Sequence, residues 1–314
     1  MNQKKFNITV LILLIICAVL GAIFIFVKPE SSKNFPIIKF GEPVKTFSPQ
    51  LSENVQDLVL TTDSFISVFV GKDNKQKILI QQNKDKPLRI ASITKLTSAL
   101  VIKDNVKDGD VITINKSNIS EAEGNSGNFQ ENENFFAMDL MRAMLIPSDN
   151  IAAKAFAESI GTEKFVLLMN EEAKKVGMKN SAFFNPSGLD YLPYDSGFNY
   201  STPEDIAIEM LYIKNKYPDI FALTTLKNTE VCNYRGLACR TLISTDQLLN
   251  SADFPFKILG AKTGSTPLAG KNLAMIIEAP EGQGIIVNVV LNSLDHFADM
   301  KKLTNWVADS YSWK

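Results

Sequence analysis

The stretch Arg89-Ile90-Ala91-Ser92-Ile93-Thr94-Lys95-Leu96-Thr97-Ser98-Ala99-Leu100-Val101 constrains this chain more than any other. Pro87 stands before it, and Ile90, Ile93, Leu96, Leu100 and Val101 recur at three- and four-residue intervals, so it reads as a helix entering a core. Ser92 falls in the first turn. Residues three apart share a helix face, which lays Lys95 back over the Ser92 hydroxyl at the end where unpaired backbone N–H groups favour developing negative charge. That is a serine nucleophile with its own base; the ordinary alternative is a helix cap with a solvent lysine one turn later. The Ser-x-x-Lys pattern occurs once in the chain, and partners elsewhere must decide.

Inventory narrows the chemistry. At 314 residues and 45% hydrophobic content the chain can hold one large domain or two modest ones. Its 33 basic and 34 acidic residues are mixed along the sequence, for a net charge of −1, so it carries no electrostatic footprint for nucleic acid. One histidine, His296, and three cysteines cannot build a zinc hydrolase site, and a Ser-His-Asp triad would have to use that single ring. Metal and histidine mechanisms are disfavoured, and no cofactor is implied.

Residues 8–27 form an apolar run broken only by Thr9, with Lys4 and Lys5 before it. This reads as a transmembrane anchor with residues 1–7 in the cytoplasm and the rest of the chain outside, a cleaved signal peptide being the alternative. Cys17 lies inside the run without the small residues of a lipoprotein cleavage site. From 28 to about 60, serine, lysine, asparagine and four prolines read as a linker.

The domain then runs from 61 to 314. Residues 65–70 and 77–80, separated by Gly71-Lys72-Asp73-Asn74, read as a hairpin ahead of the Ser92 helix. Residues 111–114 read as a short strand. Helices are expected over 135–146, apolar almost all round, and then over 151–160, 162–176 and 203–215, the last with Thr202 as cap and Pro203 at its first position. This helical subdomain covers about 105–225. A second hairpin over 229–243 has Cys232 and Cys239 flanking its tip, a pair that can be oxidised outside the membrane although spacing does not fix its geometry. Strands over 259–266, 272–279 and 284–292 are joined too closely for crossovers and so run antiparallel. A last helix carries Phe297, Met300, Leu303, Trp306 and Val307 on its apolar side.

Two further pieces complete a site. Lys262-Thr263-Gly264-Ser265 on a strand offers an amine, hydroxyls and a glycine where another backbone can come close. Ser-x-Asn starts at Ser32, Ser52, Ser126 and Ser148, but only Ser148-Asp149-Asn150, between two buried helices, would hold both side chains rigidly.

Ser92-x-x-Lys95, Ser148-Asp149-Asn150 and Lys262-Thr263-Gly264, in this order, resemble the motifs of the penicillin-recognising serine enzymes. Asn185-Pro186-Ser187-Gly188-Leu189, Ser201-Thr202-Pro203-Glu204-Asp205 and the segment from Gly260 to Gly270 resemble signatures of the D-alanyl-D-alanine carboxypeptidase family among them. The resemblance covers about 64 to the end. It implies an α+β fold of the β-lactamase/transpeptidase kind, an antiparallel sheet flanked by helices with an inserted helical subdomain. It also implies removal of the terminal D-alanine from peptidoglycan stem peptides through an acyl-enzyme on Ser92, with β-lactams as covalent inhibitors. Lys95 would be the base, kept neutral by desolvation and the charge of Lys262. Ser148 would protonate the leaving amine, Asn150 hold the substrate amide, and Lys262 and Thr263 take the carboxylate. Backbone N–H groups of Ser92 and Ser265 beside Gly264 would form the oxyanion hole. Ile151 stands where the family often has aspartate. The rivals are a D,D-endopeptidase cutting crosslinks, a class A β-lactamase, disfavoured because 182–190 holds no glutamate, and an inactive wall-binding module.

Overall fold

The computed structural model describes residues 47–120, 127–190 and 197–314. The chain begins with β1 (Gln50–Leu51), β2 (Ser64–Gly71), β3 (Gln76–Gln82) and β4 (Leu88–Arg89), then a 3-10 turn at Ala91–Thr94 leading into α1 (Lys95–Asn105). The helix expected to contain Ser92 thus becomes regular only at Lys95. Ala91 has φ of 46°, outside the ordinary helical region, and no side chain caps the turn.

The middle of the chain holds β5 (Val111–Thr113), α2 (Lys116–Ser120), β6 (Asn134–Phe136), α3 (Ala137–Leu145), α4 (Asn150–Ile160) and α5 (Thr162–Val176). After β7 (Tyr200–Ser201) come α6 (Pro203–Lys216) and α7 (Pro218–Thr224), the second of which periodicity did not separate. Residues 135 and 136, expected to open a helix, pair with β5 instead, together with Asn134; Phe135, buried there, packs edge-on to Phe129. The hairpin is β8 (Asn228–Cys232) and β9 (Cys239–Ile243), whose register sets Cys232 opposite Cys239, and a disulfide joins them.

The chain ends with β10 (Ile258–Thr266), β11 (Gly270–Glu278), β12 (Gly284–Ser293), α8 (His296–Ser310) and β13 (Tyr311–Ser312). The central sheet has five strands in the order β10-β11-β12-β2-β3, each neighbour pair antiparallel. All eight residues of β2 are buried, because both faces are covered. Period-two alternation sends Ile66, Val68 and Val70 to the face under the helical layer and Phe65 and Phe69 to the face under α8. In β11, Ala274 and Ile276 share the first face while Leu273, Met275 and Ile277 meet Met300, Leu303 and Val307 of α8 on the other.

Residues 47–60, counted in the linker by composition, lie against this domain. β1 pairs with β13, Phe47 stacks on Trp313, and Leu58 and Leu60 pack on the α8 side of the sheet.

The membrane placement expected from residues 8–27 is corrected. Those residues lie outside the described ones, and among the described residues no helix is long and apolar enough to cross a membrane. A span needs about 20 consecutive apolar residues, and the longest described helices, α5 and α8, have 15 residues each and exposed polar positions. The single-pass anchor and its topology are therefore withdrawn.

One buried acid makes stability pH-dependent. Glu209 of α6 is 1% exposed and accepts a hydrogen bond from Thr97 of α1 at 2.5 Å. Burial pushes its carboxyl up to about 8, with Asp205 and Glu172 adding to the rise and the Thr97 bond opposing it. Its folded value lies above its ordinary 4.5, so the folded state holds the extra proton and stability falls as pH rises from about 4.5 to about 8. Scanning calorimetry is expected to show the melting temperature falling over pH 5 to 8, and falling less in Glu209→Gln. Parallel curves for the two proteins would refute this.

Candidate active site

Three walls meet at one cleft. The turn Ala91–Thr94 supplies Ser92, and α1 starts at once with Lys95, whose side chain is fully buried. The α3–α4 junction supplies Ser148, held at φ of 64°, and Asn150. Between them Asp149 caps α4, accepting from Ala152 N at 2.8 Å and from Gly127 N at 2.7 Å, which fixes the junction. Strand β10 supplies Lys262, Thr263, Gly264 and Ser265.

Two glycines let these walls close up. A Cβ on Gly264 would stand 2.7 Å from Ile90 O and 3.0 Å from Ser92 N, so only glycine admits the strand so near the Ser92 backbone. Gly188, at φ of 84°, is tighter, since a Cβ there would stand 1.9 Å from Ala91 O. The loop carrying Gly188 is tied down by Asn185 Oδ1, which accepts from Gly188 N at 2.7 Å, and by Ser98 Oγ donating to Pro186 O at 2.6 Å.

Lys95 Nζ lies 2.6 Å from Ser92 Oγ, 2.7 Å from Asn150 Oδ1 and 3.0 Å from Ser187 O. Burial pulls the amine well below its usual 10.5, the charge on Lys262 lowers it further, and Asp149 opposes both. A neutral amine has two N–H donors and one lone pair. Asn150 Oδ1 and Ser187 O can only accept and take both donors, so the lone pair is left for the Ser92 hydroxyl, which then donates to Nζ. This arrangement can remove the hydroxyl proton as Oγ attacks.

A second serine–lysine pair lies beside the first. Lys262 Nζ donates to Ser148 Oγ at 2.7 Å and to Thr263 O at 3.0 Å. Burial draws its pKa down to about 7, opposed by Asp246.

Ser92, Ser148, Asn150, Thr263, Gly264 and Ser265 therefore line one cavity of about 320 Å³, and Lys95 and Lys262 bond to the two serines. Sequence reasoning did not reach Thr245, whose Oγ1 lies 2.5 Å from Thr263 Oγ1, nor His296 and Phe297 on the cavity wall. No local pattern marks them. Ser187 was quoted within a signature segment, but nothing local shows that its carbonyl reaches Lys95. The described residues offer one carboxylate–thiol cluster of metal-ligand type, Glu230 with Cys232 and Cys239, and the disulfide takes both of its thiols.

A serine hydroxyl bonded to a desolvated lysine amine, on a helix-flanked antiparallel sheet, defines a serine hydrolase of the penicillin-binding class. The chain belongs to the D-alanyl-D-alanine carboxypeptidase family of serine peptidases, whose profile matches residues 55–294. A D-alanyl-D-alanine endopeptidase of Pseudomonas aeruginosa is 30% identical over 247 residues, which are 77% of this chain and 76% of the relative. The Escherichia coli D-alanyl-D-alanine carboxypeptidase DacC is 28% identical over 245 residues, 73% of this chain but 58% of the longer relative. Among solved structures, penicillin-binding protein D2 of Listeria monocytogenes in its cefotaxime-bound form aligns with a TM-score of 0.68 at 26% identity, over 80% of this chain and 99% of that one.

Proposed function

We propose that the chain removes the terminal D-alanine from peptidoglycan stem peptides through an acyl-enzyme on Ser92, and that residues 61–314 are its catalytic unit, with a helical subdomain over about 105–225. The observation that carries the site assignment is the contact of Ser92 Oγ with the amine of Lys95, which burial pulls well below its usual 10.5. Lys95 takes the hydroxyl proton as Oγ attacks the carbonyl of the D-Ala-D-Ala bond. Backbone N–H groups of Ser92 and Ser265 receive the oxyanion. Ser148, charged with a proton through Lys262, protonates the leaving amine, while Asn150 holds the substrate amide. Lys262 and Thr263 take the terminal carboxylate. D-Alanine leaves, and water hydrolyses the ester to free Ser92. A β-lactam enters by the same attack and stays as an ester.

A second reading, an endopeptidase that opens crosslinks, draws support from the Pseudomonas aeruginosa relative, which is matched over more of its length than the carboxypeptidase is. A class A β-lactamase is not supported: residues 182–190 hold no glutamate, and the Ser187 carbonyl of that loop lies on Lys95.

Labelling with a fluorescent penicillin followed by peptide mapping is expected to mark Ser92. Incubation with muropeptides is expected to turn pentapeptide monomers into tetrapeptides with release of D-alanine. Conversion of crosslinked dimers into monomers instead would select the endopeptidase, rapid turnover of penicillin the β-lactamase, and no labelling the inactive wall-binding module.

A further inference from the structure

The chain has one histidine, and acyl transfer as proposed leaves it unused. His296 opens α8 and lines the same cavity as Ser92, Thr263 and Ser265. It is 7% exposed, its ring is tilted against Phe297 with centroids 4.0 Å apart, and neither Nδ1 nor Nε2 has a hydrogen-bond partner among the described residues. Buried polar side chains are ordinarily paired. Two orphaned nitrogens on the wall of a reaction cavity therefore point to a ligand.

The charged groups facing the ring narrow the ligand's chemistry. They are Asp295 and Asp299 at its own end of α8, and Lys271 from β11. Asp299 is already occupied, accepting from Thr61 N at 2.9 Å and from Thr61 Oγ1 and Ser293 Oγ at 2.6 Å each. Asp295 Oδ1 caps α8 through Ala298 N at 3.2 Å. The cleft lysines, Lys95 and Lys262, are bonded to Ser92 and Ser148. Burial draws the ring down to about 4 and Lys271 lowers it further, while the charges of Asp295 and Asp299 oppose this without making up for it, so the ring is neutral in the free enzyme at ordinary pH.

We propose that His296 is a specificity-determining residue of the leaving-group side of the cavity, taking up a proton from solvent as the terminal carboxylate of the peptide enters. This rests on the reading above that Thr263 and Lys262 receive that carboxylate, since His296 shares their cavity. A carboxylate within bonding distance stabilises the imidazolium and accepts a charge-assisted hydrogen bond from it. Peptides with a free carboxylate are then favoured over amide-capped ones, increasingly as pH falls.

A single histidine makes the test direct. Proton NMR of the full chain as Ser92→Ala, free of any histidine tag, follows the His296 Hε1 signal against pH. The midpoint is expected near 4 without ligand, raised by about one unit or more with saturating diacetyl-L-lysyl-D-alanyl-D-alanine, and unmoved by the same peptide as its C-terminal carboxamide. In otherwise wild-type enzyme, His296→Gln is expected to lower the ratio of kcat/KM for the acid peptide to that for the amide at pH 5.5. A midpoint that the bound acid peptide leaves in place, or an equal rise with the amide, overturns the proposal. Penicillin labelling of Ser92 in the wild-type chain is the separate arm: if it fails, the acyl-enzyme reading fails, and if it succeeds without the NMR shift, the His296 assignment alone falls.

Discussion

Ser92→Ala is expected to abolish covalent labelling by penicillin, and Lys95→Met to slow it by about 10²–10⁴-fold, the range a positioned general base contributes. Methionine keeps length and removes the lone pair. It also removes the donor that now serves Asn150 Oδ1 and Ser187 O, and each hydrogen bond lost costs about 0.5–1.5 kcal/mol. Thermal melting of Lys95→Met therefore has to be recorded beside the acylation rate, so that loss of the base is separated from loss of the fold. Hydroxyl and amine act as a unit, so for slow peptide hydrolysis the double variant should be no worse than Ser92→Ala alone. In wild-type enzyme, acylation should rise with pH as Lys95 discharges, with its midpoint well below the usual 10.5. Wild-type acylation rates in a folded Lys95→Met would place the base elsewhere.

What the sequence announced and what it hid divide along contact distance in the chain. Ser92 and Lys95 are three residues apart, and their pairing follows from helix periodicity even though a 3-10 turn carries the serine. The five strands of the central sheet and most helices follow from apolar patterning, Pro203 and Gly161. The sheet order does not. Nothing local in residues 64–71 says that they pair with 284–293, because register between strands so far apart is set by how both faces bury their side chains. The Ser148–Lys262 pair spans 114 residues and the Ser187–Lys95 contact spans 92. Only the resemblance brought the first together, and nothing announced the second. His296 was weighed as a triad member and set aside, whereas its placement depends on where α8 meets the end of β12. Residues 47–60 read as linker because they continue a stretch of serine, lysine, asparagine and proline, yet Phe47, Leu58 and Leu60 suffice to seat them on the sheet.

Lys262→Gln is expected to move the acid limb of penicillin acylation upward by about one unit or more, besides weakening substrate binding. Burial lowers the Lys95 amine first and the Lys262 charge lowers it further, so removing that charge lets Lys95 hold its proton to higher pH. The sign is fixed: at a given acidic pH fewer molecules carry the neutral base, and the rate falls. Asp246, pushed up to about 6 by burial and held back by Lys262, loses that restraint and moves higher still, so it adds no compensating negative charge. The basic limb follows from Lys262 itself. With its pKa drawn down to about 7, it discharges above neutrality, and both its hold on the carboxylate and its proton for Ser148 fade there. Lys262→Arg carries a charge that does not titrate in this range, on a planar fork. It should keep the acid limb near wild type and extend activity to higher pH, while the changed shape costs carboxylate affinity. Acylation rate against pH for the three proteins decides. If Lys262→Gln leaves the acid limb in place and lowers only affinity, Lys262 anchors the carboxylate without tuning Lys95, and burial alone keeps that amine neutral.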